Sequence, residues 1–288
     1  MNIVRKGINT NVPIYKEKDR VPYLSFPSLE DTGIVNHLFT TRLGGVSKGH
    51  QSTMNLSYKQ EMSRDNVTEN FRRVANVLDA TIEQFVLSHQ THTTNLRIVT
   101  EEDLGKGILR EQDYEDVDGL ITNCKGVVLS TFYADCVPLF FVDPVEKVIA
   151  LSHAGWKGTV GKIAALTVAK MGNEFGCKAE NIQVAIGPSI CQDCYEVSED
   201  VAMQFITMLQ KIIPGESEII QAIVYDKGND KYLLDLWKSN FYVLRNMGVL
   251  EENIAITDVC TCCNSELLFS HRASQGKRGN LGAFLKLK

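Results

Sequence analysis

The sequence has no apolar stretch approaching the roughly 18 residues of a membrane span, since its longest greasy segment is interrupted by Asp135. Its opening residues, MNIVRKGINTNVPIYKEKD, also lack the apolar run of roughly 7–15 residues that a secretory signal requires. There is no repeat, low-complexity tract or Gly/Ser-rich linker, which favours one domain over all 288 residues, with residues 1–35 as an N-terminal extension of it. Nor is there a broad basic face. The net charge is −5, and the Lys and Arg residues scatter except near Arg272, Lys277 and Arg278, which argues against a nucleic-acid groove. What is present is ordinary for a globular protein with a sizeable core: 44% hydrophobic and 23% charged residues. Eight cysteines without an export signal point to a cytoplasmic chain with reduced thiols, where clustered Cys more often bind metal or act chemically.

The hydrophobic pattern predicts an α+β fold: one domain with mixed sheets in sandwich-like layers, flanked by helices. Val67, Phe71, Val74 and Leu78 recur at helical spacing, with Asp65 or Asn66 available as a cap. FVLSHQ (85–90), NLRIVT (95–100), GLIT (119–122) and VVLSTFY (127–133) read as strands. A helix is expected from Thr159 to Phe175, ended by Gly176, and NIQVAIG (181–187) as a strand. Ser198, Glu199 and Asp200 suit the start of another helix. A further helix carries Leu233, Leu236, Trp237, Phe241 and Leu244 and stops at Gly248, and strands close the chain near 253–259, 266–270 and 281–287.

The most informative segment is VPLFFVD (137–143), PVE, KVIALSHAG (147–155), two apolar runs around an Asp-Pro turn signal. A turn centred between Pro144 and Val145 would pair Val142 with Lys147, Phe140 with Ile149, Pro138 with Leu151 and Cys136 with His153. Directly opposed residues hold their Cβ atoms about 4.5–5.5 Å apart, close enough to grip one metal ion or activate one another. A slip of one residue would put the two side chains on opposite faces. An upstream histidine, His89 or His92, would complete a two-His, one-Cys set. In an extended stretch these two point oppositely, so one of them reaches a given ion. Such a trio suits zinc with a fourth position left for water or substrate, and it is also copper-compatible. Asp135 would be a general acid/base or a partner to the ligands, although its place beside Cys136 demands a local bend.

Other residues suit an anion. After His153, Gly155 and Gly158 let backbone approach a ligand, and Lys157 adds charge at a helix start. Arg42, at a strand end before Gly44-Gly45, could clamp a phosphate or carboxylate bidentately, as could Arg272 in the loop SHRASQGKR. Cys191 and Cys194 form C-x-x-C, and Cys260, Cys262 and Cys263 crowd a second place. Together they offer either a closed structural zinc site, with spacing C-x-x-C … C-x-C, or simply buried thiols.

Taken in order, Phe39–Gly45 with Asn55-Leu56, Gln90-Thr91-His92, Asp118-Gly119, Asp135-Cys136-Val137-Pro138, His153–Gly158, Gly187-Pro188, Cys194–Val197 and Ser270-His271-Arg272 resemble the YfiH-like family. It is also called the laccase-domain or multicopper polyphenol oxidase family and includes YlmD-type bacterial members. The resemblance runs from about residue 36 to the C-terminus, with one departure: Ala273 follows Arg272 where the family often has a second arginine. It implies a zinc held by His92, Cys136 and His153. It also implies phosphorolysis of purine nucleosides (adenosine, inosine, guanosine, methylthioadenosine) and deamination of adenosine, that is, a transferase and a hydrolase activity. The older label is copper-dependent phenol oxidation. Against that label, six histidines are too few for a mononuclear copper plus a trinuclear cluster. The expected catalytic set is Cys136, Asp135 and Arg42, with Arg42, Lys157, Gly155 and Arg272 on substrate or phosphate. The expected partners are nucleosides and phosphate, not nucleic acid or membrane, and the chain would act as a monomer or homodimer. The competing readings are a zinc module without catalysis and a metal-free thiol hydrolase using Cys136 and His153.

Overall fold

The computed structural model describes residues 3–7, 12–59 and 63–288. Two six-stranded mixed sheets lie at its centre. The first runs β1 (Ile14–Lys18), β2 (Val21–Ser25), β3 (Val35–Thr40), β15 (Leu281–Leu287), β7 (Val128–Tyr133), β4 (Phe85–Leu87). The second runs β14 (Ile254–Ile256), β10 (Gln183–Ile186), β8 (Val137–Asp143), β9 (Val148–Ala154), β6 (Gly119–Thr122), β5 (Leu96–Ile98). A small third sheet joins β11 (Glu196–Ser198), β13 (Lys231–Leu234) and β12 (Val224–Gly228). The helices are α1 (Pro27–Glu30), α2 (Arg64–Val77), α3 (Trp156–Val160), α4 (Ile163–Phe175), α5 (Glu199–Ile212), α6 (Ser217–Ile223) and α7 (Leu236–Asn246). Among the described residues, no helix is long and apolar enough to cross a membrane.

Burial divides the core into layers, and β8 shows why its sequence is apolar without interruption. Phe140 and Val142 face the first sheet, packing with Phe39, Leu129 and Leu285, while Leu139 and Phe141 face Val168 of α4, Phe205 of α5 and Leu244 of α7. A strand covered on both faces needs no polar alternation. Each fully buried Phe or Leu contributes about 1.5–3 kcal/mol relative to exposure. The outer face of the first sheet is covered by α2, whose Val67, Phe71 and Val74 meet Phe85 and Phe284. The order is therefore helix, sheet, sheet, helices: the α+β sandwich that the hydrophobic pattern predicts.

Several local expectations are corrected. The β8–β9 register pairs Val142 with Ile149, Phe140 with Leu151 and Pro138 with His153, so Cys136 does not oppose His153. The turn is longer than expected because Asp143 Oδ1 accepts from both Val145 N and Glu146 N, and Lys147 adopts a left-handed conformation. The register differs from the predicted one by two places, one full side-chain period, and each side chain keeps its face. The helix expected from Thr159 is instead α3 and α4, separated at Gly161 and Lys162, where Lys162 has φ 59°. A Cβ on Gly161 would stand 2.6 Å from Thr94 Cγ2, so only glycine fits at this bend without displacing the loop that carries His92. Leu233 lies in β13, before α7, which is capped by Asp235 accepting from Lys238 N. α2 begins one residue before Asp65, behind Ser63. Residues 266–270 form turns and irregular chain, not a strand: Leu267 N and Leu268 N both donate to Asn264 O, and Leu267, Leu268 and Phe269 are all buried.

Candidate metal centre and cleft

His92, Cys136 and His153 converge at the ends of three segments. Their donor atoms lie within 4.8 Å of one another, with Cys136 Sγ 3.9 Å from His92 Nε2. Cys136 precedes β8, immediately after Asp135, whose φ of +88° supplies the bend that the strand pattern demanded. Extending the β8–β9 register by one place sets Cys136 across from Gly155 and diagonal to His153 on the same face. A Cβ on Gly155 would lie 2.9 Å from His92 Cδ2 and 3.1 Å from Cys136 Sγ, so only glycine leaves room for the trio. His92 itself is held at φ +67°, in the left-handed region, and its ring meets His153 edge-on at 4.9 Å between centroids.

Asp118, at the mouth of β6, holds this arrangement together. It is fully buried. Its Oδ1 accepts from His92 N (3.1 Å) and lies 2.8 Å from His153 Nδ1. Its Oδ2 accepts from Thr91 N, Thr93 N and the Thr93 hydroxyl, while its carbonyl accepts from His153 N. One carboxylate thus shapes the His92 loop and fixes the His153 ring, leaving Nε2 for a ligand. Burial opposes its ionisation, but His153 and the Thr93 donors outweigh burial and hold the group down at about 2. The sequence offered Asp118 only as part of a motif. Its role becomes visible once β6 and β9 are known to be neighbours.

Electrostatics at the trio follow the same proximity. Burial would raise the Cys136 thiol, yet the charge of His153 and hydrogen bonds from His153 and His92 pull it from 9.0 down to about 6. Burial would lower His153, yet Cys136 and Asp118 raise it to about 9. In metal-free protein the sign is therefore clear. Cys136 is thiolate above pH of about 6 and loses reactivity as pH falls through that value. Iodoacetamide labelling followed by peptide mass mapping should give a half-maximal rate for Cys136 near that pH. A midpoint near that of an ordinary thiol would show that the imidazoles do not act on it.

The donor set fits a tetrahedral zinc. Zn–N of about 2.05 Å and Zn–S of about 2.3 Å would place N and S about 3.6 Å apart, close to the observed separation. Three protein donors leave a fourth position. The trio opens into a cleft of ≈ 660 Å³, within the range of small-molecule sites. Trp156 and Tyr195 supply aromatic surface there, and Lys59, Arg64 and Arg278 supply positive charge.

The remaining expected residues separate into two groups. Asp135 lines the cleft, but both of its oxygens are engaged: Oδ1 accepts from the Thr261 hydroxyl (2.6 Å) and Oδ2 from Arg272 N (2.7 Å). Arg272 also lines the cleft, with its guanidinium donating to the carbonyls of Cys194 and Glu196. These two residues hold the wall. Arg42 is not at the cleft. Its guanidinium donates to the carbonyls of Ser52 and Ser265 and lies 4.7 Å over the Phe269 ring, joining two loops. Lys157 is likewise outside the lining, exposed, with its ammonium 5.6 Å from the Trp156 ring centre. α3, which starts after Gly155, spans only five residues. His89 lines the cleft without joining the trio, and its Nδ1 accepts from Asp116 N. Arg278 was visible only as one of several loop charges. Its Nε is buried without a partner among the described residues, while its Nη1 donates to Asn280 Oδ1.

Comparison with known proteins agrees with this architecture. A family model described as multi-copper polyphenol oxidoreductase laccase matches residues 36–288. The chain is 40% identical over 267 residues to a purine nucleoside phosphorylase of Deinococcus radiodurans, covering 93% of each chain. It is 36% identical over 250 residues to the purine nucleoside phosphorylase YlmD of Geobacillus stearothermophilus, covering 85% of this chain and 88% of that one. The crystal structure of YlmD from Geobacillus stearothermophilus superposes with a TM-score of 0.85 at 33% identity, covering 96% of this chain and 99% of that one.

Proposed function

Because the chain belongs to the YfiH-like, laccase-domain family, we propose that it is a metal-dependent purine nucleoside phosphorylase acting in the cleft at His92, Cys136 and His153. One observation carries this reading: a two-nitrogen, one-sulfur donor set and Arg278, whose Nε is buried without a partner among the described residues, line the same cleft. Phosphorolysis joins a phosphate oxygen to the sugar C1′ as the C1′–N9 bond breaks. The electron pair and a proton go to the departing base. A divalent ion held by the trio, zinc by donor type and copper by alternative, would supply Lewis-acid polarisation of an oxygen ligand. Arg278 and the basic rim of Lys59 and Arg64 suit the phosphate anion, and Tyr195 and Trp156 suit the flat purine and its sugar. Asp118 keeps His153 oriented, and Asp135 positions the Arg272 loop over the cleft. Adenosine deamination would use the same pocket.

Phenol oxidation by a copper array finds less support. Of the six histidines, only His92 and His153 enter a donor cluster among the described residues. His37 is buried elsewhere, accepting from Phe26 N.

The test is turnover of inosine or adenosine with inorganic phosphate after defined zinc or copper reloading, reading free base and ribose 1-phosphate. Arg278→Met should raise the phosphate KM by about tenfold or more, with a smaller change in the nucleoside KM, from the loss of a charged hydrogen-bond donor. Release of base without ribose 1-phosphate, or no dependence on phosphate, would refute phosphorolysis.

A further inference from the structure

The geometry points to a second metal site, independent of the cleft chemistry: a closed zinc centre formed by Cys191, Cys194, Cys260 and Cys263. The four sulfurs lie within 4.8 Å of one another, and Cys194 Sγ is 3.5 Å from Cys263 Sγ. Four Zn–S bonds of about 2.3 Å in a tetrahedron place sulfurs about 3.8 Å apart, so little movement is required. A disulfide needs about 2.05 Å between sulfurs, and all eight cysteines are free.

Topology explains the convergence. β10 and β14 are parallel neighbours, with Val184 beside Ile254 and Ile186 beside Ile256. The loops leaving their C-terminal ends therefore emerge side by side, stitched by Thr261 N donating to Ser189 O. Each loop then presents one C-x-x-C. The second pair is Cys260 with Cys263, and Cys262 lies outside the four-sulfur group. In each pair a tight turn brings the two sulfurs to one side: Cys194 N donates to Cys191 O, and Asn264 N to Cys260 O.

A second observation points to the same ligand. Cys260 Sγ accepts from two backbone amides, Cys191 N at 3.2 Å and Cys263 N at 3.4 Å. Amides aimed at a sulfur stabilise a metal-bound thiolate by spreading its charge. Lys6, paired with Asp193 at 3.0 Å between Cys191 and Cys194, adds positive charge that acts on Cys191 and Cys263. With four protein donors there is no vacancy, so the ion is structural. It would fasten the wall of the cleft, because Tyr195 follows Cys194 and Arg272 donates to the Cys194 carbonyl.

The test is metal content and X-ray absorption of the full chain produced with zinc in the medium. The His92→Ala/Cys136→Ala double variant removes the cleft ligands yet should retain about one zinc per chain, with four sulfur neighbours near 2.3 Å and no imidazole scattering. Cys194→Ser/Cys263→Ser should lose that ion and its all-sulfur signature. Zinc absent from the first variant, zinc with nitrogen or oxygen neighbours there, or a cysteine pair resistant to alkylation under denaturing conditions would overturn the assignment. Neither turnover nor the cleft metal enters this readout, so failure of the phosphorylase reading would leave it standing.

Discussion

Cys136→Ala is expected to lower nucleoside phosphorolysis by about a thousandfold, equivalent to about 4 kcal/mol of lost transition-state stabilisation. The thiolate is the only sulfur in the trio, and its removal leaves two imidazoles, too few to hold zinc in a rigid tetrahedral site. The fold should survive, because Cys136 lies at the edge of the cleft and the flanking Val137 is fixed in β8. Adenosine deamination, if it shares the pocket, must fall in parallel. The decisive comparison is kcat/KM for both reactions on zinc-loaded wild-type and variant protein of equal thermal stability. Either activity persisting at the wild-type rate would separate it from this centre. Full loss of both with zinc still bound in the variant would instead assign the thiol a role beyond coordination.

The trio was legible in the sequence to a useful degree, and the reasons it was only partly so are physical. The apolar run of β8 announced a strand buried on both faces, and its turn announced a hairpin. The period of two then kept Cys136 and His153 on one face even though the register differed by two places. The turn geometry set by Asp143 and Lys147 is a backbone detail that residue type alone does not fix. Arg42 shows the opposite failure. An arginine beside a glycine turn looks the same whether it meets an anion or two carbonyls, and the partners Ser52 and Ser265 come from different parts of the chain. The break between α3 and α4 was invisible because it lies in the backbone, where Lys162 adopts φ 59° beside a Gly161 that has no room for a Cβ against Thr94. The cysteine cluster was legible as C-x-x-C with C-x-C, which would take Cys262; that Cys263 takes its place shows only with the loops after β10 and β14 in position.

Asp118→Ala is expected to destabilise the protein by about 3–5 kcal/mol and to weaken cleft zinc by at least about tenfold, with the two effects arising from different bonds. The stability loss comes from burial. Without the carboxylate, which is itself fully buried, the amides of Thr91, His92 and Thr93 and the Thr93 hydroxyl lose their acceptor, and His153 loses its buried partner. The affinity loss comes from His153, whose ring no longer has Nδ1 anchored and can turn Nε2 away from the ion. Asp118→Asn probes both contacts without a change of volume. It keeps the volume and one acceptor oxygen but presents an amide to donors on the other side, so it should still cost stability. It should also force His153 toward the tautomer that leaves Nε2 protonated where its amide faces Nδ1. Urea unfolding of metal-free protein measures the first effect, and competition with a chromogenic zinc chelator measures the second. Because the carboxyl is held at about 2, wild-type protein keeps this contribution throughout the neutral range, and it declines only as pH falls through the ordinary carboxylate region toward that value. If Asp118→Ala unfolds at the wild-type urea midpoint, the carboxylate is not what holds the His92 loop. If zinc affinity is unchanged, His153 is oriented by other contacts, such as the Tyr133 ring, whose centroid is 5.4 Å away.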